Sequence, residues 1–399
     1  MATMAVLGFS SGLPLALTGG TLQAWMAIVG VDLKTIGIFS LVGLPYTLKF
    51  LWSPLMDRYV PPLLGRRRGW MVATQIALML GIVAMGLTSP RDAILAMGFL
   101  ALIVAFSSAS QDIVIDAYRT DVLAEKERGA GTAVFVTGYR IAMLVSGALA
   151  LILSDQIGWR ATYLFMAALV VVGMSGVLLA REPVAAVAPR SLREAIQGPL
   201  RDFFGRKGAV SLLLLIVFFK LGDAYAGTLT TAFLIRGVGF TPTEVGTVNK
   251  GLGLISVIVG AGIGGSLMVK LGLFRSLVAF GILQAVSNLS FSALALAGKS
   301  YPMMIFAVAF ENLTGGMGTA AFVALLMALC DKRFSATQFA LLSSLAALGR
   351  VFISPTSGFM VEAMGWAAFF FLTAVTALPG LGMLFVLRRQ IAALSGDRV

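Results

Sequence analysis

Long apolar stretches recur along the whole chain, separated by short loops that hold most of its charges. A bilayer core requires roughly 20 apolar residues per helix, and breaking the chain at clusters of charge, glycine or proline leaves twelve such stretches. Hydrophobic residues make up 58% of the chain and charged residues 12%, whereas a water-soluble protein has roughly 25% charged residues. We therefore predict an all-α polytopic membrane protein with twelve transmembrane helices.

The predicted spans are numbered in chain order, with bounds that are approximate by a few residues. They are 4–28, 34–56, 70–88, 92–122, 130–154, 158–180, 209–235, 243–269, 273–297, 300–329, 335–363 and 366–387. Span 1 has no charged segment before it and no cleavage site after it, which predicts a retained helix instead of a signal peptide.

The positive charges predict the orientation of these spans. Of the 30 Lys and Arg residues, 19 lie in the tail and the loops after even-numbered spans, 5 in the loops after odd-numbered spans and 6 within spans. The positive-inside rule then places both termini in the cytoplasm. Because topology accounts for the net charge of +12, no nucleic-acid partner is expected. One cysteine and no histidine leave no disulfide and few metal ligands, so we expect no cofactor.

One long polar stretch, 182–207, interrupts the series of spans. Its portion Leu192–Phe204 predicts an amphipathic helix on the membrane surface. Six spans lie on either side, so we expect an N-terminal six-helix bundle (1–181) and a C-terminal six-helix bundle (208–399), joined by a cytoplasmic linker.

Three short patterns occur once in each half, in the same order and at nearly the same spacing. They are Ile157-Gly158-Trp159 with Met364-Gly365-Trp366, 207 positions apart, Gly30 and Gly37 with Gly239 and Gly246, 209 apart, and Leu55-Met56-Asp57-Arg58 with Leu267-Met268-Val269-Lys270, 212 apart. This agreement indicates a duplication. Two six-span halves of the same orientation are similar to the parallel repeats of major facilitator transporters.

The loop after span 2 resembles the signature loop of that superfamily, Gly-x-x-x-Asp-Arg-x-Gly-Arg-Arg, with an insertion. We expect its charges to pair and to close a cytoplasmic gate, namely Asp57, Arg58, Arg66 and Arg67. The alternative is that these arginines only anchor the loop at the membrane interface.

Ionisable groups within spans are costly, at roughly 2.5–3.5 kcal/mol or more each, and mark functional sites. They accompany amides in several spans: Gln111, Asp112, Asp116 and Arg119 in span 4, Lys220 and Asp223 in span 7, Asn249 and Lys250 in span 8, Glu311 and Asn312 in span 10, and Lys49, Arg140 and Arg350 in spans 2, 5 and 11. Six cations against four anions suggest a cavity that accepts an anionic substrate.

Without histidine, a proton carrier in the membrane has to be Asp or Glu. Asp116 lies one turn from Arg119 and Asp223 one turn from Lys220, which favours ion pairs for both, although Asp116 stays a third candidate for proton coupling. Asp112 is two turns from Arg119 and is our first candidate, and Glu311 is the second. A static ion pair remains the alternative for Asp112.

Aromatic residues on the charged spans could stack on a sugar or hydrogen-bond to its hydroxyls. The candidates are Trp25, Tyr46, Tyr118, Tyr139 and Phe310, and packing is the alternative for each.

Two motifs of soluble enzymes have a different interpretation here. Gly8–Gly12 matches G-x-S-x-G, but no histidine is available as a base. Gly260–Gly265 matches G-x-G-x-x-G inside span 8, where small residues allow close helix packing. A membrane-embedded transferase is the enzyme alternative that remains.

The polar spans closely resemble those of AmpG muropeptide permeases, a branch of the major facilitator superfamily. The matching stretches run through both halves: Gly8–Thr18, Leu22–Met26, Lys49–Arg58, Ser110–Asp116, Lys220–Ala224, Asn249-Lys250 and Glu311–Gly318.

The resemblance implies import of N-acetylglucosaminyl-1,6-anhydro-N-acetylmuramic acid, usually with its peptide, across the bacterial inner membrane. Protons would drive this import, which recycles peptidoglycan and supplies the signal for beta-lactamase induction. Sugar hydroxyls would then contact Gln111, Asn249 and Asn312, and peptide carboxylates would contact Lys220, Lys250 and Arg350. Lys49, Arg119 and Asp223 complete the expected binding set. The expected partners are this substrate, protons and lipid, with the protein as a monomer. The alternative within transport is another anionic solute, such as a coenzyme A ester.

Overall fold

The computed structural model describes residues 2–53, 56, 59–62, 64–122, 128–182, 205, 208–329, 342–347 and 351–395. Every regular element in these residues is a helix, and helical residues occur in all twelve predicted spans. The all-α prediction is therefore confirmed. The linker helix predicted at Leu192–Phe204 lies outside the described residues, as do Asp57, Arg58 and Arg350.

Nine helices among the described residues are long and apolar enough to cross a membrane. They are Ala2–Ile28, Arg66–Leu87, Ile94–Arg119, Val134–Ile157, Trp159–Leu179, Ala209–Gly237, Pro242–Leu271, Leu273–Ala297 and Thr356–Val386. Helix Tyr301–Ala328 coincides with span 10, and the shorter apolar helix Leu33–Leu48 falls in span 2.

Several spans are interrupted where the sequence predicts one continuous helix. Span 1 consists of helices Ala2–Thr18 and Gly20–Ile28, and span 7 consists of Ala209–Phe219 and Leu221–Ala232 with Lys220 between them. Glycine has little helix preference, which is consistent with the break at Gly19. The interruption at Lys220 places a charged residue at the end of a half-helix, an arrangement that transporters use at binding sites.

Contacts between helices divide the chain into two units. The N-terminal unit contains Met1–Asp32, Phe39–Arg190 and Thr241–Thr247, and the C-terminal unit contains Leu33–Ile38, Ser191–Phe240 and Val248–Val399.

Glycines bring helix backbones into direct contact within each unit. In the N-terminal unit, a Cβ on Gly8 would overlap the carbonyl oxygen of Phe135, and a Cβ on Gly138 would overlap that of Ala5. In the C-terminal unit, a Cβ on Gly260 would overlap the carbonyl oxygen of Leu313. The glycine motif of span 8 is therefore a helix-packing surface, as predicted.

The start of helix Arg66–Leu87 and the end of helix Trp159–Leu179 satisfy each other's free backbone groups. The carboxylate of Glu182 accepts hydrogen bonds from the backbone N–H groups of Arg67 and Arg68, at 2.8 and 2.9 Å. Arg68 in turn donates to the carbonyl oxygens of Val177 and Leu178, at 3.1 and 2.9 Å. An acidic group at a helix N-terminus and a basic group at a helix C-terminus both interact favourably with the helix dipole and stabilise the helix.

The duplication is visible in backbone angles as well as in sequence. Glycines with positive φ occur in pairs at similar spacing: Gly30 and Gly239 (83° and 87°), Gly65 and Gly272 (83° and 76°), and Gly158 and Gly365 (82° and 79°). Each pair lies at equivalent turns of the two halves. Such φ values strongly favour glycine, because other residues have a Cβ that clashes there.

Candidate functional site

The C-terminal unit contains a polar cavity of about 380 Å³. Its polar lining combines three charged side chains with two amides and a hydroxyl, on three different spans: Lys220, Asp223, Gln284, Glu311, Asn312 and Thr319. Small-molecule sites of transporters and enzymes have about 300–1,000 Å³ and a few convergent polar groups. The cavity therefore has the size and chemistry of a site for a polar solute.

Lys220 is the cation of this cavity whose geometry is best defined. Its Nζ lies 3.0 Å from Oδ2 of Asp223 and 3.3 Å from Oγ1 of Thr319. It also lies 6.0 and 5.9 Å from the ring centroids of Phe219 and Phe322, and these two rings stack on each other. The predicted Lys220–Asp223 ion pair is confirmed, and the rings and the carboxylate together hold the ammonium group in place.

Span 10 contributes Glu311 and Asn312 to the same cavity. Asn312 donates a hydrogen bond from Nδ2 to the carbonyl oxygen of Val308, at 2.9 Å, which fixes the orientation of the amide. Both residues lie near the middle of helix Tyr301–Ala328. At that depth a carboxyl group is retained only with partners or water around it.

Two residues of span 8 lie in the same unit but are not among the residues that line the cavity. Lys250 donates a hydrogen bond to Oγ1 of Thr231, at 3.1 Å, and Asn249 precedes it in the π-helical turn Gly246–Leu252. An extra residue per turn changes the direction of the side chains, and such turns are frequent at functional sites.

The N-terminal unit has its own polar cluster, around two serines of span 1. Ser10 accepts hydrogen bonds from Nε2 of Gln75 (2.9 Å) and Nε2 of Gln111 (2.7 Å). Ser11 donates to Oδ1 of Asp112. Gln111 is fully buried, and its Nε2 links span 4 to span 1, while Gln75 links span 3 to the same serine.

The charged stripe of span 4 continues to Asp116 and Arg119. Arg119 Nη2 lies 3.0 Å from Asp116 Oδ1, which confirms the predicted ion pair, and Lys49 Nζ lies 3.9 Å from Asp116 Oδ2. The Arg119 guanidinium also stacks over the ring of Phe135, at 4.1 Å from its centroid. Asp116 thus has two cationic neighbours, and its side chain is half exposed.

The aromatic candidates have different environments. Trp25 is 5% exposed and stacks on Trp159 at 5.6 Å between centroids, which favours packing over substrate contact. Tyr118 is also buried. Tyr46 and Tyr139 are half-buried in the N-terminal unit, so they keep some accessible surface.

Of the four residues expected to form the gate, the structure describes Arg66 and Arg67. Arg67 Nε lies 2.9 Å from Oδ2 of Asp121, and Arg67 itself is buried. Arg67 therefore bonds to the end of span 4, a partner that the sequence analysis did not identify.

Sequence reasoning missed Gln284 and Thr319. Both are uncharged, so the search for charges within spans passed over them. Gln284 is buried on helix Leu273–Ala297, next to the backbone of Gly315 and Gly318. A buried amide in an apolar helix is a weaker signal than a charge, but it follows the same rule.

The chain matches the family model of the Major Facilitator Superfamily over residues 4–298. It is 58% identical, over 98% of its length and 80% of the relative's, to the anhydromuropeptide permease of Escherichia coli strain K12. Among solved structures it resembles a bacterial homolog of the human lysosomal transporter Spinster, with a TM-score of 0.79 and 16% identity, covering 100% of this chain and 98% of that one. It also resembles the D-xylose-proton symporter, with a TM-score of 0.72, 12% identity and 96% of each chain covered.

Proposed function

Because the chain belongs to the major facilitator superfamily, we propose that it imports anhydro-muropeptides across the bacterial inner membrane, driven by protons. The observation that carries this proposal is the 58% identity, over nearly the whole chain, to a relative named an anhydromuropeptide permease. The expected cargo is N-acetylglucosaminyl-1,6-anhydro-N-acetylmuramic acid, with or without its peptide. Its uptake by alternating access would return cell-wall fragments to the cytoplasm for recycling.

The cavity of the C-terminal unit supports this choice of substrate. Lys220 offers a cation to a peptide carboxylate, at a point where two stacked rings and Asp223 hold it. Asn312, Gln284 and Thr319 offer amide and hydroxyl groups that can bond to sugar hydroxyls and acetamido groups. Charge for the peptide and hydrogen bonds for the sugar are both available in one cavity.

The rest of the binding set remains a proposal with less geometric support. We retain Asn249, Lys250, Lys49, Arg119, Tyr46 and Tyr139 as candidate contacts, together with Gln111, Trp25 and Arg350 from the sequence. Since Gln111 and Trp25 are buried by their own neighbours, we expect them to shape the site without touching the substrate.

Proton coupling is proposed for Asp112 first, then Glu311 and Asp116. Asp112 is held by a serine hydroxyl, whereas Asp116 is held by Arg119 at 3.0 Å. A hydroxyl can bond to a carboxyl group in either protonation state, whereas a salt bridge favours the charged state. This difference supports the order of the candidates.

The arrangement of the chain in the membrane is also proposed. We infer two six-helix bundles, 1–181 and 208–399, joined by the linker 182–207, with both termini in the cytoplasm and the protein as a monomer in lipid. The distribution of Lys and Arg supports this orientation, and Asp57, Arg58, Arg66 and Arg67 would form the cytoplasmic gate.

Uptake of radiolabelled disaccharide into proteoliposomes tests the proposal directly. A pH gradient, acidic outside, should accelerate uptake, and a protonophore should abolish the acceleration. Unlabelled peptide-bearing muropeptide should compete, whereas a coenzyme A ester should not. Competition by the ester alone would identify another anionic solute as the substrate, and product turnover in detergent would indicate a membrane transferase.

A further inference from the structure

A second, much smaller cavity of the C-terminal unit shares two of its walls with the large one. It has a volume of about 10 Å³. Asp223 and Gln284 line both cavities, and Asn288 lines the small one, together with apolar residues that include Phe219 and Leu381. Asp223, which holds Lys220, thus borders two cavities of very different size.

Asn288 is the residue of this region whose polar atoms are not satisfied. It is 1% exposed, and neither Nδ2 nor Oδ1 has a hydrogen-bond partner among the residues that the structure describes. Its neighbour Ser287, by contrast, donates to the carbonyl oxygen of Gln284 at 2.8 Å and accepts from Thr314 at 3.0 Å. A buried amide without partners is strongly unfavourable, so Asn288 requires a ligand.

The small cavity fits that ligand by size and by chemistry. A cavity of about 10–15 Å³ is the smallest that can hold one water molecule, and a buried water needs two to four polar partners. Asn288 supplies a donor and an acceptor, Gln284 another amide, and Asp223 a carboxylate. A metal cation fits less well, because Lys220 already neutralises Asp223 at 3.0 Å.

We propose that Asn288 is a positioning residue, which holds Asp223 through one water molecule bound in the small cavity. Lys220 bonds to Oδ2 of Asp223, and a carboxylate can accept at its other oxygen at the same time. The water donates a hydrogen bond to that second oxygen and so fixes the plane of the carboxylate. Lys220 is then held at the wall of the large cavity, where it meets an anionic group of the substrate.

The water site follows from the cavity and Asn288 alone, whereas its effect on Lys220 rests on the proposed function. Two measurements on the purified full-length protein separate these parts. The first is the melting temperature of Asn288→Leu, a substitution of similar volume without hydrogen-bonding groups. If water links Asn288 to Asp223, the melting temperature should fall by a few degrees, since the water and the carboxylate lose a partner.

The matched control is Ser276→Ala on the same helix. Ser276 is also fully buried, its Oγ also has no partner among the described residues, and it is not among the residues that line either cavity. Its melting temperature should stay the same or rise. A rise in Asn288→Leu as well would show that the cavity is dry and would overturn the proposal.

The second measurement is a double-mutant cycle on the affinity for a peptide-bearing muropeptide. Asn288→Leu should weaken binding by about 2- to 12-fold, the range that one hydrogen bond carries, and should have no further effect in the Asp223→Ala background, which lacks the carboxylate that the water would hold. Equal additional losses in both backgrounds would indicate a general structural defect and would overturn the positioning role. If Asn288→Leu does not fold, Asn288→Ala takes its place in the cycle, with the same expected coupling.

Two further results have defined meanings. A wild-type protein that binds no muropeptide refutes the proposed function, while the melting temperatures still decide the water site. The melting temperature of the wild type could also be higher in sodium than in choline, with no such difference in Asn288→Leu. That result would mean that a cation occupies the small cavity instead of water, and it would overturn the proposal.

Discussion

Two carboxyl groups on membrane helices, Asp112 and Glu311, have contrasting neighbours. Asp112 accepts a hydrogen bond from Ser11, in a cluster made mostly of serine hydroxyls and glutamine amides. Glu311 lines a cavity that also contains Lys220 and Asp223. The first environment suits a group that gains and loses a proton, and the second suits a group that also responds to a charged solute.

Replacement of Asp112 by Asn tests the coupling assignment. The amide keeps an oxygen for Ser11 but cannot release a proton, so we expect uptake to lose its acceleration by a pH gradient. Exchange of labelled for unlabelled substrate, which needs no net proton movement, should persist. Both rates are measured in proteoliposomes.

Asp155→Asn is the control for that variant. Asp155 lies in the same unit, where it accepts a hydrogen bond from Thr243 at 2.6 Å, and its replacement should leave the acceleration intact. Gradient-driven uptake that survives in Asp112→Asn would assign coupling elsewhere, with Glu311 next.

Lys220→Ala tests the recognition of the peptide part of the substrate. We expect it to raise the KM for peptide-bearing muropeptides more than the KM for the bare disaccharide, because only the former bring a peptide carboxylate to the ammonium group. Lys270→Ala, on the C-terminal end of span 8, should change neither value. Equal losses for both substrates would mean that Lys220 acts only through its ion pair with Asp223.

Residue-level prediction from sequence succeeded where charge and spacing were enough. The residues of each pair, Asp116–Arg119 and Lys220–Asp223, lie three positions apart, a spacing that brings side chains together on a helix. It failed where the direction of a side chain mattered. Trp25 turns to Trp159, and Gln284 turns into the cavity, and neither direction follows from hydropathy.

At the scale of helices, the length of an apolar stretch predicted where a helix lies, but it did not predict whether that helix is continuous. Most of the long helices coincide with predicted spans to within a few residues, because each needs enough apolar length to cross the bilayer. Helix Thr356–Val386 instead covers the end of span 11 and span 12, with a non-helical turn at Gly365 between them. The interruption at Lys220 was not predicted, since a single charged residue between apolar segments is compatible with a continuous helix. Tertiary contacts of Lys220 with Asp223 and Thr319 accompany that interruption.

The glycines of span 8 allow a paired test of helix packing. Gly260→Ala should prevent the close contact with Leu313 and lower the melting temperature strongly or abolish expression. Gly262→Ala, two positions away, would add a Cβ that meets no heavy atom of the described residues within 4 Å, and it should stabilise the helix slightly. Thermal unfolding in detergent measures both. Equal effects of the two variants would contradict the assignment of the packing face.

At the scale of the molecule, the duplication persists in turns even where the side chains have diverged. Gly65 and Gly272 both have a positive φ, and each directly precedes a helix. The residues that follow them differ: Arg66-Arg67-Arg68 in one case and Leu273-Phe274-Arg275 in the other. The positive φ persists where the side chains differ, because glycine alone adopts this angle readily.

Gly158 and Gly365 should therefore respond alike to substitution. Both combine a φ near 80° with an extended ψ, a region essentially reserved for glycine, so alanine should cost each turn about 1–3 kcal/mol. Neither new Cβ would meet a described heavy atom within 4 Å, so the loss would come from the backbone alone. Melting temperatures of the two variants should fall by similar amounts. Gly227→Ala is the control: it lies in a helix where a new Cβ would meet no described heavy atom within 4 Å, and it should not lower the melting temperature.

The mutual capping by Arg68 and Glu182 has a consequence for biosynthesis. Glu182 is made 114 residues after Arg68, and its carboxylate bonds to the first turn of helix Arg66–Leu87. Since a chain is synthesised from its N-terminus, the first turn of this helix lacks its acidic cap until spans 3 to 6 have been synthesised. Closure of the cap would coincide with the completion of the first six spans, before any helix of the second half exists.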